Sequence, residues 1–113
     1  WVVGDATTWA PSDPVDLVVI GFLHLRLDTL ARVLGDVGGW RRPGGLLVYL
    51  GHAAENLSRG VGGPQDPTVL PGIADLARGA EGLEVGSLRH DLRPAGKATA
   101  VDVLLHARSW VRR

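Results

Sequence analysis

Apolar residues in the first half of the chain form one continuous run and then recur at helical spacing. Val15 to Phe22 is nearly unbroken and follows a proline-rich turn. It predicts a central parallel strand, because a strand covered on both faces needs no polar residues at alternate positions. The next segment predicts an amphipathic helix that starts near Asp28 and ends at Gly35 or at Gly38-Gly39. Its apolar positions are Leu27, Leu30, Ala31, Leu34 and Val37.

A second buried strand is predicted at Leu46 to Gly51, after the turn Arg42-Pro43-Gly44-Gly45. Strand, helix and strand together form a parallel crossover unit. Val2-Val3, which Gly4-Asp5 ends, predicts a further short strand. The pattern therefore predicts an α/β sheet with helices on both faces.

The second half of the chain predicts a long loop, a helix and two strands. His52 to Pro67 is rich in Gly, Asn, Gln and Asp, and loops of this length are usually functional lids or disordered. Thr68 to Ala80 has helical spacing, but Pro71-Gly72 weakens its first turn or divides it into two short pieces. A short connection joins the predicted strands Leu83 to Leu88 and Ala98 to Ala107, so they should run antiparallel.

Composition narrows the class of protein. The 113 residues, 45% apolar and 21% charged, suit one globular domain. Absent cysteine excludes disulfides and thiolate sites and is compatible with the cytoplasm. No apolar run reaches the roughly 20 residues of a membrane span. Twelve basic and twelve acidic residues cancel, which argues against nucleic acid as a partner, although basic residues cluster locally at Arg41, Arg42, Arg108, Arg112 and Arg113.

Three segments lie where a known fold has the ends of its strands. They are Gly4-Asp5-Ala6, Asp16 to Leu25, and Arg42 to Leu47. Together they resemble the third, fourth and fifth strands of the Rossmann-like class I S-adenosylmethionine-dependent methyltransferases. The closing helix and antiparallel pair resemble the sixth and seventh strands of that fold. The resemblance covers residues 1–113 as one partial methyltransferase domain, equivalent to the C-terminal half.

Two further segments are most similar to the small-molecule branch that includes tellurite-resistance and thiopurine methyltransferases. They are Phe22-Leu23-His24-Leu25, after the fourth strand, and Gly62-Gly63-Pro64 with the segment Asp66 to Leu70 that follows. This resemblance implies a small-molecule methyl acceptor.

The glycine-rich half of the family has no counterpart in the sequence. Missing are the first strand with its Gly-x-Gly-x-Gly turn and the acidic residue that ends the second strand. The chain also has no methionine and opens at Trp1, so we expect a piece of a longer protein. We expect it to bind S-adenosylmethionine weakly or not at all alone. The exposed edge left by the missing strands should recruit a second copy or a separate N-terminal half.

The resemblance implies cofactor-binding roles for five residues. Asp5 and the amide of Ala6 would read the adenine edge, although an Asp after Gly can equally form a turn with its own backbone. The other three, Gly21, Phe22 and Leu23, end a central strand, where open α/β sheets place ligands. Phe22 can equally be an ordinary core residue.

His24 is the candidate for catalysis, because imidazole exchanges protons near neutral pH. The alternative is a helix-cap or surface histidine. His52 and Glu55 have a spacing seen in metal sites, but with no third ligand nearby we predict no metal. The pair Arg41-Arg42 is interpreted as solvated. Other residues have structural interpretations: Asp16 at the start of its strand, and Trp9, Trp40 and Trp110 in packing.

Two functions fit these features. The first is the C-terminal part of a methyltransferase that moves a methyl group to a small nucleophile, with Gly62-Gly63-Pro64 in a substrate lid. The second is a non-catalytic methyltransferase-like module that assembles with another copy or another chain.

Overall fold

The structure is a computed structural model that describes residues 1–109. Trp110, Arg112 and Arg113, for which the sequence suggested packing and basic clustering, lie outside the described residues. In chain order the elements are β1 Val15–Gly21, α1 Leu27–Gly38, β2 Arg41–His52, α2 Asn56–Arg59, a 3-10 turn Pro67–Val69, α3 Ile73–Gly79, β3 Glu84–Ala95 and β4 Ala98–Arg108.

The four strands form one sheet in the order β1-β2-β4-β3. β1 runs parallel to β2, with Val19 opposite Val48. β4 lies antiparallel to both of its neighbours, with His106 opposite Val48 and Ser87. This arrangement confirms the predicted crossover unit and the predicted antiparallel pair. The α/β class is also confirmed.

The helix α1 joins the two parallel strands and buries one side of the sheet. Its buried residues are Leu30, Val33, Leu34 and Val37. Ala31, which was predicted on the apolar face, is exposed, and Val33 takes its place. The helix continues through Gly35 and ends at Gly38. Its buried side chains join the core cluster that contains Leu47, Tyr49, Leu105 and, from α3, Leu76.

The opposite face of β1 remains open. Leu17 is 54% exposed and Val19 63%, whereas Ile20, pointing to the helix side, is buried. The helices α1 and α3 contact each other, since a Cβ at Gly79 would lie 2.6 Å from the Leu34 side chain. In the described part of the chain, helices therefore cover one face of β1 and not both.

The predicted strand at Val2-Val3 is wrong. Residues 1–14 contain no strand, and both valines are largely exposed. A strand requires a neighbour whose backbone groups complete its ladder, and within residues 1–109 none lies beside this segment. The segment is attached instead through Trp9, whose ring meets Trp40 edge-on at 5.6 Å between centroids, as packing residues would.

Proline and buried asparagine shape the second half of the chain. Pro71-Gly72 divides the predicted helix into the 3-10 turn and α3, as expected. The loop between β2 and that turn contains the short helix α2, which the sequence pattern did not predict. Buried Asn56 fixes it: its Oδ1 accepts a hydrogen bond from the Val101 amide at 2.8 Å, and its Nδ2 donates to the Gly62 carbonyl at 2.9 Å.

β3 extends beyond the predicted end at Leu88 to Ala95. Its second half is polar and exposed, so its sequence resembles a loop, but backbone pairing with β4 continues to Ala95 opposite Ala98. Gly96 closes the hairpin with φ 64°, in the left-handed region that glycine tolerates. None of the helices found in residues 1–109 is long and apolar enough to cross a membrane.

Candidate functional site

The carboxyl ends of the parallel strands β1 and β2 lie side by side. Gly21 stands opposite Leu50, and the Phe22 amide donates to the Leu50 carbonyl at 2.7 Å. Residues that follow both strands therefore gather at one edge of the sheet. Open α/β sheets bind ligands at this edge.

Phe22 turns the chain out of β1 through a strained backbone. Its φ is 53°, and it alone among the non-glycine residues of the described chain has a positive φ. Residues held in this region are enriched at functional sites. The Phe22 ring lies 5.2 Å from the His52 ring, edge to face, and 5.5 Å from the Arg93 guanidinium. Phe22 is thus a partly exposed member of a polar cluster and is not an ordinary core residue.

His24 lies beside a second histidine. Its ring stacks on His52, with centroids 5.3 Å apart and planes inclined by 20°. His24 is exposed, whereas the side chain of His52 at the end of β2 is 12% exposed. From the sequence, His52 and Glu55 were considered as a pair of metal ligands, and no metal was predicted there. The structure instead pairs Glu55 with His90, at 3.0 Å between Oε2 and Nε2.

Asp102 and Arg93, an ion pair on the hairpin of β3 and β4, complete the cluster around His52. Asp102 is 2% exposed, and its Oδ2 accepts a hydrogen bond from Arg93 Nε at 2.9 Å. This hydrogen bond raises the pKa of the Arg93 guanidinium. Asp102 also stands opposite His52 in the sheet, with 3.6 Å between Oδ1 and the histidine Nδ1. That separation is too long for a hydrogen bond but short enough for electrostatic attraction.

Sequence reasoning missed Asp102 and Arg93. The available signal was a charged residue inside the apolar run from Ala98 to Ala107. A buried carboxylate needs a partner, so this position already required a cation nearby. Arg93 could not be chosen from the sequence, because the hairpin register decides which cation reaches Asp102.

The surroundings of His52 lower the pKa of its imidazole and so favour the neutral form. Burial lowers the pKa of its imidazole most strongly, and the positive charges of His24 and Arg93 lower it further. Asp102 acts in the opposite direction, but burial prevails. A neutral imidazole can accept a proton near neutral pH.

A cleft of about 480 Å³ opens beside His52. Gly63, at φ 71°, approaches the imidazole so closely that a Cβ there would lie 2.9 Å from His52 Nε2. Glycine at this position therefore keeps the space beside that nitrogen open. The lining residues are Phe22, His52, Val61, Gly62, Gly63, Arg93 and Ala95.

The residues predicted to bind cofactor divide between two clefts and a turn. Ala6, Gly21 and Leu23 line a second cleft, of about 330 Å³, whereas Phe22 lines the His52 cleft. Asp5 forms the local turn that was its alternative interpretation. Its Oδ1 accepts hydrogen bonds from the Thr7 amide at 2.8 Å and the Thr7 hydroxyl at 2.7 Å, and these bonds lower its pKa.

Three charged residues near the amino end of β2, Asp16, Arg41 and Arg42, form contacts within the fold. Asp16 Oδ2 lies 3.0 Å from Arg42 Nη1, in an exposed ion pair. Arg41 was predicted to be solvated, and this is wrong: it is buried, and its Nη1 donates to the carbonyls of Gly45 and Ala107. The apolar stem of arginine packs well in such a position, which a count of charges does not reveal.

The described residues fit only part of S-adenosylmethionine. Ala6, Gly21 and Leu23 line one side of the second cleft, and the Asp5 carboxylate lies on the same turn as Ala6. The chain offers no Gly-x-Gly-x-Gly turn for the methionine portion. No group of three or more His, Asp or Glu side chains within residues 1–109 could hold a metal ion.

No family model matches the chain, and no curated protein matches it either. Solved structures do. N-methyltransferase NodS from Bradyrhizobium japonicum WM9 matches with a TM-score of 0.71 at 14% identity, over 97% of this chain and 59% of NodS. NodS in complex with S-adenosyl-L-homocysteine matches with a TM-score of 0.69 at 15% identity, over 96% of this chain and 53% of that one.

TehB from Haemophilus influenzae is also similar, with a TM-score of 0.71 at 12% identity, over 96% of this chain and 40% of TehB. The chain thus spans 59% of the length of NodS and less of TehB. At these identities the likeness concerns the fold, and it confirms the resemblance seen in the sequence. The chain has the α/β fold of the C-terminal half of class I S-adenosylmethionine-dependent methyltransferases.

Proposed function

We propose that the chain is the C-terminal part of a methyltransferase that transfers a methyl group from S-adenosylmethionine to a small-molecule nucleophile. The observation that carries the proposal is the sheet order β1-β2-β4-β3, which brings Phe22 and His24 beside His52 at the edge where open α/β sheets generally bind ligands. NodS is an N-methyltransferase whose structure is also known in complex with S-adenosyl-L-homocysteine, and its similarity to this chain supports the activity class.

Cofactor contacts in this proposal lie at the adenosine end. Asp5 and the Ala6 amide face the adenine, and Gly21, Phe22 and Leu23 lie along the edge of the sheet between the two clefts. When bound, the cofactor supplies an electrophilic methyl group. Because the 113 residues lack the glycine-rich turn, we propose that the chain is inactive alone.

The chain's own contribution to the reaction is position, exclusion of water and proton exchange. The Gly62-Gly63 segment lies against His52, and Asn56 holds it in place through Gly62. This segment acts as the lid over the acceptor. His24, exposed and stacked on His52, contacts the acceptor and takes part in proton exchange at the site. Holding the reacting groups in line accounts for most of the acceleration.

A non-catalytic assembly module is the second candidate, and one observation favours it. The edge strand β1 exposes Leu17 and Val19, and no strand of the described chain pairs with its outer side. Unpaired apolar edges recruit other strands. The partner in this case is a second copy of the chain or a separate chain with the N-terminal half. Absent cysteine agrees with a cytoplasmic location for either function.

The reading frame upstream of Trp1 tests the enzyme against the module. We expect a Gly-x-Gly motif within about 60 residues, the length of a strand-turn-helix-strand unit. The protein encoded by the longer frame should transfer radiolabelled methyl from S-adenosylmethionine to a small-molecule extract. A longer frame without that motif, or without transfer, would favour the assembly module.

A further inference from the structure

The cluster around His52 assigns a base and an acceptor class to the site. We propose that His52 Nε2 is the general base of the acceptor site and that the acceptor is a small aromatic hydroxyl compound, a phenol. This inference rests on the proposed function for its chemical context, but the site itself is built from residues of this chain.

Geometry singles out the Nε2 atom. The other ring nitrogen, Nδ1, faces the Asp102 carboxylate at 3.6 Å. Nε2 lies where Gly63 leaves the space open, and both residues line the 480 Å³ cleft. Stacking on His24 and the edge contact with Phe22 fix the plane of the ring. A fixed imidazole with one nitrogen toward a cleft is the arrangement that proton abstraction requires.

Charged groups of both signs surround His52. The charged or titratable groups that face it are Asp102 on β4, Arg93 on β3 and His24 after β1. Arg93 engages both oxygens of Asp102, at 2.9 and 3.4 Å, and so offsets part of the pull that the carboxylate exerts on an imidazolium. In this scheme His52 accepts the substrate proton, and the nearby Asp102 carboxylate stabilises the imidazolium that forms. Asp102 and Arg93 are positioning residues in this scheme.

The cleft walls select the acceptor. Phe22, Val61 and Ala95 are apolar, and the Phe22 ring offers a flat surface to an aromatic ring. None of the lining residues is acidic, and the Asp102 carboxylate beside His52 is buried and bound to Arg93. A protonated amine would find no free counter-ion there. A hydroxyl that becomes an anion would be stabilised by the Arg93 guanidinium, which is 44% exposed.

The proposed step balances. The phenol oxygen forms its bond to the methyl carbon while the carbon–sulfur bond of the donor breaks and the sulfur leaves as a neutral thioether. The phenol proton passes to His52 Nε2, so the positive charge lost from sulfur appears on the imidazolium. Solvent then removes that proton. Unaided, a phenol with a pKa near that of tyrosine, about 10, is mostly protonated at neutral pH, which is why a base accelerates the transfer.

Binding of 4-nitrophenol to the 113-residue chain tests the site without a methyl donor. We expect the phenolate absorption band to grow on binding at a pH where free 4-nitrophenol is mostly protonated. In NMR spectra the His52 Cε1–H signal should move toward its imidazolium position at the same time. Toluene, which lacks the hydroxyl, should leave that signal unmoved, and benzylamine should bind more weakly than 4-nitrophenol.

His52→Gln keeps the size and polarity of the side chain but cannot take the proton. It should weaken 4-nitrophenol binding by about tenfold and abolish the phenolate band. His90→Gln makes the same change at the histidine that pairs with Glu55, which does not line the cleft, and it should leave both readouts intact. Circular dichroism confirms that each variant is folded. A wild-type chain that binds 4-nitrophenol without phenolate formation or His52 protonation would overturn the inference, as would equal binding of benzylamine.

The outcomes separate this inference from the proposed function. Phenolate formation at His52 in the 113-residue chain, without methyl transfer by the longer protein, would contradict the methyltransferase and keep the phenol site. Methyl transfer by the longer protein, together with no 4-nitrophenol binding, would support the methyltransferase proposal and overturn the phenol site.

Discussion

His24 and His52 stack at 5.3 Å between ring centroids, although they lie 28 positions apart in the chain. His24 follows β1, and His52 is the last residue of β2. The two strands are parallel, so their carboxyl ends lie side by side. The stack links the residue that the sequence proposed for catalysis with the one that the structure surrounds with charge.

The titration of His52 is the first prediction. Its NMR midpoint should lie below the ordinary histidine value of about 6.5, because burial disfavours the imidazolium. His24→Ala removes a neighbouring positive charge and a ring that shields His52 from water, so the pKa of His52 should rise. A depressed pKa in the folded state stabilises the protein above about pH 6.5 and stops doing so as pH falls. An unchanged or lower His52 midpoint in His24→Ala would contradict this account.

Tyr49 gives a second titration, free of overlap because the chain has one tyrosine. Burial raises the pKa of Tyr49 to about 12. Ultraviolet absorption of the phenolate should therefore show a midpoint near that value in the folded chain and about 10 in urea. Since the folded pKa is the raised one, roughly 3 kcal/mol of stability is present below pH 10 and is lost between pH 10 and 12. A folded midpoint near 10 would show that Tyr49 is accessible to water.

The contact between α3 and α1 predicts opposite effects for two glycines. A Cβ at Gly79 would lie 2.6 Å from Leu34 Cδ1, and buried Leu34 has no room to move, so Gly79→Ala should destabilise the fold by about 1–3 kcal/mol. Gly35→Ala, with nothing within 4 Å of its Cβ, should stabilise α1 by about 0.5–1 kcal/mol.

Urea unfolding measures both changes, and a double variant tests their cause. Leu34→Ala creates space, so adding Gly79→Ala to it should cost less than Gly79→Ala does in the wild type. Additive effects would place the strain elsewhere.

The edge strand β1 predicts self-association. Light scattering at tens of micromolar should show species larger than the 12.0 kDa monomer. Val19→Lys puts a charge on the exposed face of β1 and should reduce association, because lysine on an edge deters strand pairing. Val85→Lys, on the exposed edge strand β3, is the matched control and should not. A monodisperse wild-type monomer with a cooperative thermal transition would refute this prediction.

Calorimetry tests the cofactor prediction. The 113-residue chain should show no low-micromolar binding of S-adenosylmethionine, because the contacts proposed for it lie on the adenosine side alone and the sequence lacks the glycine-rich turn. The same titration with adenosine measures what those contacts contribute. Low-micromolar binding of S-adenosylmethionine would contradict the expectation and show that the clefts beside Gly21 suffice.

The sequence alone determined the class of fold and the order of its main elements. The unbroken apolar run at Val15 to Phe22 and the helical spacing after it are local signals, which a single sequence shows directly. The split at Pro71-Gly72 was predictable for the same reason, since proline acts on its own backbone.

Only the tertiary structure decided which side chains meet. Arg93 reaches Asp102 because the hairpin register places them on neighbouring strands, and His52 meets both because β4 pairs antiparallel to β2. The tertiary structure also decided that Val2-Val3 is not a strand, because a strand exists only with a partner beside it. Register and pairing depend on residues far apart in the chain, and no local pattern around Arg93, Asp102 or His52 encodes their distances.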